Sequence, residues 1–222
     1  MLRRTALGVL LACAALRPGA AAELGCSSAN CINLVFDGDS ISAGAGATRD
    51  HAADRLVARA VGHVRMYNVA VSGRPMIDCL HLYPELVAPL FVPGGPPNVI
   101  VLHAGDNDIA RGRTGAQTYA ALTAYVAAAH QQGWKLVIST ELKRPDFPPQ
   151  KEAELEAYND RVRRNQASAD AVVDLDAEPK FADSGYRSDP AVFSKDGIHP
   201  SDGGYALLAN LLTPAVKRVA GR

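Results

Sequence analysis

The stretch INLVFDGDSIS, residues 32–42, is the part of the sequence that decides the fold. Residues 32–36 form an apolar run that only Asn33 interrupts, and the run ends at an Asp-Gly pair. Apolar residues on successive positions, rather than on alternate ones, are typical of a central strand that is buried on both faces. The stretch therefore predicts a buried strand followed at once by a turn that carries Ser40.

Strand-like and helix-like segments alternate along the rest of the chain. This alternation is typical of a parallel sheet that is covered by helices on both faces. Proline-rich joints at 93–97 and 145–149 indicate surface loops. Besides 32–36, strands are predicted at 64–71, 99–103, 136–140 and 171–175, and helices at 51–61, 115–132, 152–166 and 202–219.

Length and composition favour one globular domain. The chain has 222 residues, of which 48% are hydrophobic and 21% are charged, which is enough for one substantial core but short for two domains. Its 23 basic and 23 acidic residues balance to a formal charge of +0, and neither sign forms a long run. Nucleic acid is therefore not an expected partner, and the composition does not indicate an oligomeric state.

The first residues have the pattern of an export signal. Arg3 and Arg4 precede an apolar run at 6–16, and small residues follow at 20–22. Cleavage is expected before Glu23. The mature protein is then expected to be secreted or periplasmic.

The domain prediction is accordingly a signal peptide over 1–22 and a single domain over 23–222. The apolar run of the signal is shorter than the roughly 20 residues that span a membrane, so we expect no stable membrane span. An alternative is open, because residues 10–13 loosely resemble a bacterial lipoprotein signal. In that case Cys13 would become the lipidated first residue.

Export also makes a disulfide between cysteines of the chain an expected feature, because an oxidising compartment favours disulfides. A chain without its signal keeps Cys26, Cys31 and Cys79, and three cysteines cannot all pair internally. A bond between Cys26 and Cys31 is preferred because both precede the first strand, and a bond between Cys31 and Cys79 is the alternative. No CxxC pair or Cys/His metal spacing is present, so a structural zinc site is not expected.

Two short motifs near opposite ends of the chain contain the residue types of a serine nucleophile relay. One is Gly-Asp-Ser-Ile at 38–41 and the other is Asp-Gly-Ile-His-Pro at 196–200. A serine hydroxyl needs an imidazole to take its proton, and the imidazole needs a carboxylate to orient it. Ser40, His199 and Asp196 are the candidates for these roles.

Residues from the middle of the chain are expected at the same place as the serine. Ser40, Gly73 and Asn107 each lie just after a predicted strand. In an open parallel sheet, ligands bind at the carboxyl ends of the strands. We therefore expect these three positions to converge on one edge of the sheet.

Four blocks in this order make the chain similar to the SGNH, or GDSL-type, hydrolases, a family of serine esterases, lipases, thioesterases and carbohydrate deacetylases. The resemblance spans nearly the whole chain after the predicted signal. It implies a three-layer α/β/α fold with a flavodoxin-like central parallel sheet of about five strands. The blocks are FDGDSIS at 36–42, NVAVSG at 68–73, GDND at 105–108 and DGIHP at 196–200.

The resemblance also implies a role for each motif residue. Ser40 would attack an ester carbonyl, His199 would take and return the proton, and Asp196 would orient His199. The backbone N–H groups of Ser40 and Gly73 and the side-chain amide of Asn107 would form the oxyanion hole. Neither a metal nor an organic cofactor is implied.

Asp37 departs from the commonest form of the first block, where many relatives carry an apolar or small residue. An apolar strand followed by Asp37-Gly38-Asp39 also looks like the nucleophile motif of haloacid-dehalogenase-type phosphatases. Under that alternative Asp37 would be the nucleophile, Asp39 its acid and magnesium the electrophile. The motif at 196–200 would then have no role, which favours the serine hydrolase.

We therefore expect a serine esterase that hydrolyses carboxylic esters through a covalent acyl-enzyme. Its substrate would be a small-molecule, carbohydrate or lipid ester, and short acyl groups such as carbohydrate O-acetyl are preferred. A lysophospholipase or thioesterase of the same family is the alternative.

Arg74 follows Gly73 directly and is either a contact to an anionic or sugar-bearing substrate or a solvated loop residue. His103 is expected to be a structural, hydrogen-bonded histidine.

Overall fold

The structure is a computed structural model that describes residues 22–24, Cys26 and residues 31–222. Its strands are β1 (Ala22–Leu24), β2 (Ile32–Gly38), β3 (Val64–Asn68), β4 (Asn98–His103), β5 (Lys135–Ser139) and β6 (Ala171–Val173). They form one sheet in the order β1-β3-β2-β4-β5-β6. Strands β2 to β6 are parallel, and β1 pairs antiparallel with β3. The predicted five-stranded parallel sheet is confirmed, and β1 adds an edge strand that was not predicted.

Helices cover both faces of this sheet, as the alternating pattern predicts. Successive residues of β2 point to opposite faces, so that Leu34 and Phe36 join one core and Val35 joins the other. Helices α1 and α7 pack on the first face, and α2, α4 and α5 pack on the second. The helices of the described residues are α1 (Ala53–Val61), α2 (Met76–Leu86), α3 (Asp106–Ala110), α4 (Gly115–Gln132), α5 (Pro149–Arg163), α6 (Pro179–Ala182) and α7 (Asp202–Val219).

Most element boundaries agree with the sequence pattern, and the differences have local causes. Strand β3 ends at Asn68 rather than at residue 71, and the Asn68 side chain there accepts a hydrogen bond from Ala70 N at 3.0 Å. Helix α5 begins at Pro149, within the stretch predicted to be a loop, because proline is well suited to the first turn of a helix. Helices α4 and α7 have the predicted boundaries.

Helix α2 was not predicted. It follows Pro75 and contains Pro84, and its N-terminus has no side-chain cap from a neighbouring residue. The missing cap comes from Asp108, whose carboxylate accepts from the backbone N–H groups of Met76 and Ile77. A partner more than thirty residues away leaves no local signal in the sequence.

The turn after β2 places Ser40 at the carboxyl end of the sheet. Gly38 has a φ of 136°, and a side chain there would overlap with the backbone carbonyl of His103 on the neighbouring strand. The same carbonyl accepts a hydrogen bond from Asp39 N at 3.1 Å. The turn is therefore fastened to the end of β4 immediately before the serine.

The predicted export signal lies almost entirely outside the described residues, as does Cys13. Ala22, the last residue of that predicted segment, is the first residue of β1. None of the helices within the described ranges is long and apolar enough to cross a membrane.

Candidate active site

Ser40, His199 and Asp196 come together beside the carboxyl end of β2. His199 Nε2 lies 2.8 Å from Ser40 Oγ, and His199 Nδ1 lies 2.6 Å from Asp196 Oδ2. The imidazole can therefore accept a proton from the serine at Nε2 while its Nδ1–H donates to the carboxylate. The His199 side chain is 23% exposed, so a substrate can reach this point.

Asp196 is held by the turn on which it lies. Its Oδ1 accepts hydrogen bonds from the backbone N–H groups of Ile198 at 2.9 Å and His199 at 3.0 Å, and from Ser194 Oγ at 2.8 Å. Partial burial opposes ionisation, but the hydrogen bonds from His199, Ile198 and Ser194 lower the pKa of Asp196 well below its ordinary value. The carboxylate therefore stays ionised in acidic as well as neutral solution.

Backbone contacts join the two ends of the short loop that carries Asp196 and His199. Ser194 N donates to His199 O at 2.8 Å, and Phe193 pairs with Pro200 in an isolated antiparallel bridge. Gly197 has a φ of 66°, a conformation that favours glycine, in the turn between Asp196 and His199. The spacing of three residues between the acid and the base is thus accommodated in one compact loop.

Gly73 lies in the loop between β3 and α2, next to the serine turn. The loop is docked there by Val71 N, which donates to Gly38 O at 3.1 Å. Gly73 has a φ of 78°, and a Cβ built on it would meet no other atom within 4 Å. The position therefore favours glycine because of its backbone conformation rather than because a side chain would collide with a neighbouring segment.

Asn107 is the second residue of α3, which begins just after β4. Its side-chain amide has no hydrogen-bond partner among the described residues and is thus available to a ligand. Arg111 links this helix to the Gly73 loop, because its backbone N donates to Asn107 O at 3.2 Å and its Nη2 donates to Gly73 O at 2.8 Å. The two loops that carry the predicted oxyanion donors are therefore connected directly.

A cluster of buried ionisable groups lies directly behind Ser40. His103 Nε2 is 3.1 Å from Glu141 Oε2, and His103 Nδ1 is 2.8 Å from Ser139 Oγ. Asp39, His103 and Glu141 have ligand atoms within 4.8 Å of one another, which makes them the described residues that could hold a metal ion. These contacts agree with the expectation that His103 is hydrogen-bonded.

The pKa shifts in this cluster favour a protonated, positively charged His103 side chain. Although burial works in the opposite direction, the carboxylates of Glu141 and Asp39 raise the pKa of His103 to about 9. Burial and the nearby Glu141 carboxylate raise the pKa of Asp39 well above its ordinary value. Burial also raises the pKa of Glu141, against the charge of His103. Negative charge on these carboxyl groups would stabilise the protonated form of His103.

Asp37 is buried, and both of its carboxylate oxygens are bonded to other groups of the same chain. Its carboxylate contacts Arg74 Nη2, accepts from Tyr125 Oη at 2.7 Å and accepts from Gly38 N at 2.8 Å. Burial raises the pKa of Asp37, although the charge of Arg74 opposes this. Asp37 is only 1% exposed, which contradicts the alternative in which it attacks a substrate. Arg74 is likewise buried, so neither the substrate contact nor the solvated loop residue expected for it applies.

Three cysteines, Cys26, Cys31 and Cys79, lie within the described residues. Cys26 and Cys31 are joined in the structure, with their Cα atoms 5.7 Å apart. This separation lies within the range that a disulfide spans. Cys79 is a free, buried thiol in α2, so it is not the partner of Cys31 here.

Comparison with known proteins agrees with this architecture. The chain belongs to the GDSL-like Lipase/Acylhydrolase family, whose sequence pattern matches residues 36–207. It is therefore a carboxylic ester hydrolase by family. The family assignment also contradicts the phosphatase alternative. Comparison with curated proteins finds no matching sequence.

Several solved structures share the fold at low sequence identity. A lipolytic protein of the G-D-S-L family from Veillonella parvula superposes with a TM-score of 0.66 at 18% identity, covering 86% of this chain and 99% of that one. The psychrotrophic esterase EstA from Pseudoalteromonas sp. gives 0.65 at 14% identity, with coverage of 86% and 99%. The acetyl-xylooligosaccharide esterase Axe2 from Geobacillus gives 0.64 at 19% identity, with coverage of 90% and 97%.

Some residues around the site were not found by sequence reasoning. The contact of Glu141 with His103 depends on the side-by-side placement of β4 and β5. The contact of Arg111 with Gly73 joins two separate loops, so that only the closeness of Arg111 to the Asn107 motif could have indicated it. The spacing of Asp37 and Arg74 in the sequence gives no indication that the two residues pair. In each case the missing information is a contact between distant segments.

Proposed function

We propose that this protein is a serine esterase in which Ser40, His199 and Asp196 form the catalytic triad. The observation that carries the proposal is the continuous chain of contacts from Ser40 Oγ through the imidazole to the Asp196 carboxylate, with distances of 2.8 Å and 2.6 Å. The hydroxyl, the base and the orienting acid are each within hydrogen-bond reach of the next group.

In the proposed reaction, His199 Nε2 takes the proton of Ser40 as Oγ attacks the ester carbonyl carbon. The resulting imidazolium is stabilised by Asp196 and then gives its proton to the alcohol oxygen as the ester C–O bond breaks. The acyl group is left on Ser40. A water molecule, deprotonated by His199, attacks the acyl-enzyme, and the acid is released as the proton returns to Ser40.

The charge that develops on the carbonyl oxygen would be stabilised by the N–H groups of Ser40 and Gly73 and by the Asn107 amide. Fixed donors of this kind stabilise a tetrahedral intermediate because they need no reorganisation during the reaction. Support comes from the side-chain amide of Asn107, which has no hydrogen-bond partner among the described residues, and from the hydrogen bond that docks the Gly73 loop on the serine turn. Neither a metal nor an organic cofactor is part of this mechanism.

A short acyl group on a polar alcohol, such as a carbohydrate O-acetyl or a small ester, is the proposed substrate. Val71, which is 53% exposed beside Gly73, is the large apolar side chain that the described part of the chain leaves exposed. One valine can contact a short acyl group but offers little surface to a long chain. The segment after β5 borders a polar groove of about 510 Å³ whose lining includes Lys143, Arg144, Glu152 and Glu156.

A solved structure of the same fold, from Geobacillus, is an acetyl-xylooligosaccharide esterase, which is consistent with this choice. A lysophospholipase or thioesterase activity is the second candidate, because the family also includes lipases and acylhydrolases. A panel of acetylated sugars, medium-chain esters and acyl thioesters separates the two. Equal cleavage of acetyl and long-chain esters would contradict the preference for short acyl groups.

A fluorophosphonate probe tests the triad itself. The structure of the Pseudoalteromonas esterase was obtained inhibited by monoethylphosphonate, a related reagent. We expect one covalent adduct, located at Ser40 by peptide mass spectrometry, with loss of hydrolysis in step with labelling. Ser40→Ala should abolish both, whereas Ser42→Ala, two residues further along the same turn, should keep the adduct. A metal chelator should leave labelling unchanged, and hydrolysis that survives Ser40→Ala would contradict the proposal.

We further propose export with cleavage before Glu23 and a disulfide between Cys26 and Cys31 in the exported protein. The charged and apolar pattern of residues 1–22 supports export, and the 5.7 Å separation of the two Cα atoms supports the bond. The intact mass of protein recovered from the periplasm or medium of a bacterial host tests both. A membrane-bound, lipidated product beginning at Cys13 would instead establish lipoprotein anchoring.

A further inference from the structure

Asp37, three residues before Ser40, and Arg74, directly after Gly73, form an ion pair in the protein interior. Arg74 Nη2 contacts Asp37 Oδ1, and the two side chains are only 4% and 2% exposed. Asp37 is the position at which the chain departs from the commonest form of the first family motif, and Arg74 directly follows the motif glycine. Their pairing thus gives a shared explanation for two residues that the family motifs leave unexplained.

Further hydrogen bonds hold both partners. Tyr125 Oη, from α4, donates to Asp37 Oδ2 at 2.7 Å, and Gly38 N donates to Asp37 Oδ1 at 2.8 Å. Arg74 Nε donates to Gly38 O at 3.2 Å. The guanidinium therefore contacts the carboxylate of one residue and the backbone carbonyl of the next.

These contacts connect the two backbone segments that carry proposed oxyanion donors. Gly38 lies two residues before Ser40, and Arg74 lies one residue after Gly73. The segment between β3 and α2 has no regular secondary structure of its own to hold it in place. The contacts of Arg74 and the hydrogen bond from Val71 N to Gly38 O fasten it to the serine turn, and Arg111 Nη2 separately donates to Gly73 O at 2.8 Å.

We propose that Arg74 is a positioning residue which, through Asp37 and Gly38, holds the Gly73 N–H at the distance from Ser40 that the tetrahedral intermediate requires. This inference rests on the proposed function, in which Gly73 is an oxyanion donor. Arg74 itself touches no reacting atom. Its effect is therefore on the transition state rather than on the first binding of the substrate.

A planar guanidinium suits this role better than other side chains. Its N–H groups have fixed directions, so that contacts at Nε and Nη2 define the orientation of the group as well as its distance. A buried ion pair is, by contrast, a weak source of stability, because its desolvation offsets much of the attraction. Retention of a charged pair here is thus better explained by placement of the loop than by stability.

The test compares Arg74→Met, Arg74→Lys and the double variant Asp37→Leu/Arg74→Met with the wild type. In all three we expect kcat to fall about 10- to 100-fold with little change in KM, as for a modest misplacement of a catalytic group. The Ki of a boronic acid, which forms a tetrahedral adduct with Ser40, should rise in parallel. Arg74→Met should also lose stability because Asp37 remains buried without its partner, and the double variant should recover that stability without recovering kcat.

Arg163→Met is the matched control. Arg163 also bonds to carboxylates, including Glu156 at 2.6 Å and Asp176 at 2.5 Å, but it joins α5 to the segment after β6 and touches neither oxyanion loop. Its loss should lower stability, as in Arg74→Met, while kcat and the Ki of the boronic acid remain at wild-type values when measured on folded protein.

The possible outcomes separate the inference from the function on which it rests. Wild-type kcat and boronic acid affinity in the double variant would overturn the positioning role and leave the triad intact. An equal loss of kcat in Arg163→Met would do the same, since it would trace the effect to stability. Wild-type hydrolysis that is insensitive to Ser40→Ala would overturn the proposed function and the inference together.

Discussion

The two carboxylate oxygens of Asp196 contact different groups. Oδ2 faces the imidazole, while Oδ1 accepts backbone N–H groups from Ile198 and His199. The residue that orients the proposed base thus also closes the turn on which that base lies. This dual role explains how an acid and a base three residues apart can work together, since the same carboxylate shapes the backbone between them.

Asp196→Asn should lower kcat by about 100- to 10,000-fold, because a neutral amide cannot stabilise the imidazolium and does not impose the same tautomer. The stability of the protein should fall only slightly, since the amide oxygen can still accept the backbone hydrogen bonds. Steady-state kinetics and urea denaturation measure the two effects. Asp202→Asn is the control, because Asp202 bonds to Thr48 at a nearby helix start and should keep full activity. Near-normal kcat in Asp196→Asn would show that His199 does not need this carboxylate.

At the scale of elements, Asp108 connects the short helix α3, on which it lies, to the start of helix α2. It lies in the short helix α3, next to Asn107, and its carboxylate accepts from the first N–H groups of α2. Helix α2 begins three residues after Gly73. The motif that supplies one proposed oxyanion donor therefore also anchors the segment that supplies another.

Asp108→Ala should destabilise the protein by about 2 kcal/mol, because it leaves two helix N-terminal N–H groups without their charged acceptor. We expect kcat to fall as well, since the start of α2 follows the Gly73 loop. Urea denaturation and kinetics on folded protein measure these effects. Asp146→Ala, which removes an exposed partner of Arg144, is a control of the same chemical change. An Asp108→Ala protein as stable as wild type would contradict the capping role.

Elements with a local signal could be predicted from the sequence, and those held by distant partners could not. The apolar run of β2 and the helical patterns of α4 and α7 contain their own evidence. Helix α2 does not, because its cap comes from Asp108 and proline precedes it and lies within it. The same distinction applies to the site, where Ser40 and His199 lie in short motifs but the pairing of Arg74 with Asp37 exists only in the folded chain.

At the scale of the whole molecule, the buried cluster behind Ser40 predicts how stability depends on pH. The pKa of His103 is raised from 6.5 to about 9 in the folded protein. Its contribution is therefore fully present below pH 6.5 and is lost as the pH rises through about 9. The raised pKa values of Asp39 and Glu141 act in the same direction but begin in the acidic range. We expect the free energy of unfolding to fall by up to about 3 kcal/mol between pH 6.5 and 9.5.

Urea denaturation at intervals across this range measures the decline, and two histidine variants assign it. His103→Gln should be less stable than wild type at pH 6.5 but nearly as stable at pH 9.5, because the cationic partner of Glu141 is already absent. His130→Gln is the control, since it removes a histidine that pairs with Asp170 outside this cluster, and the decline assigned to His103 should persist in it. If His103→Gln kept the full alkaline slope, the charge lost on raising the pH would lie elsewhere. A slope that disappears in His103→Gln alone would place the pH-sensitive charge directly behind the serine turn.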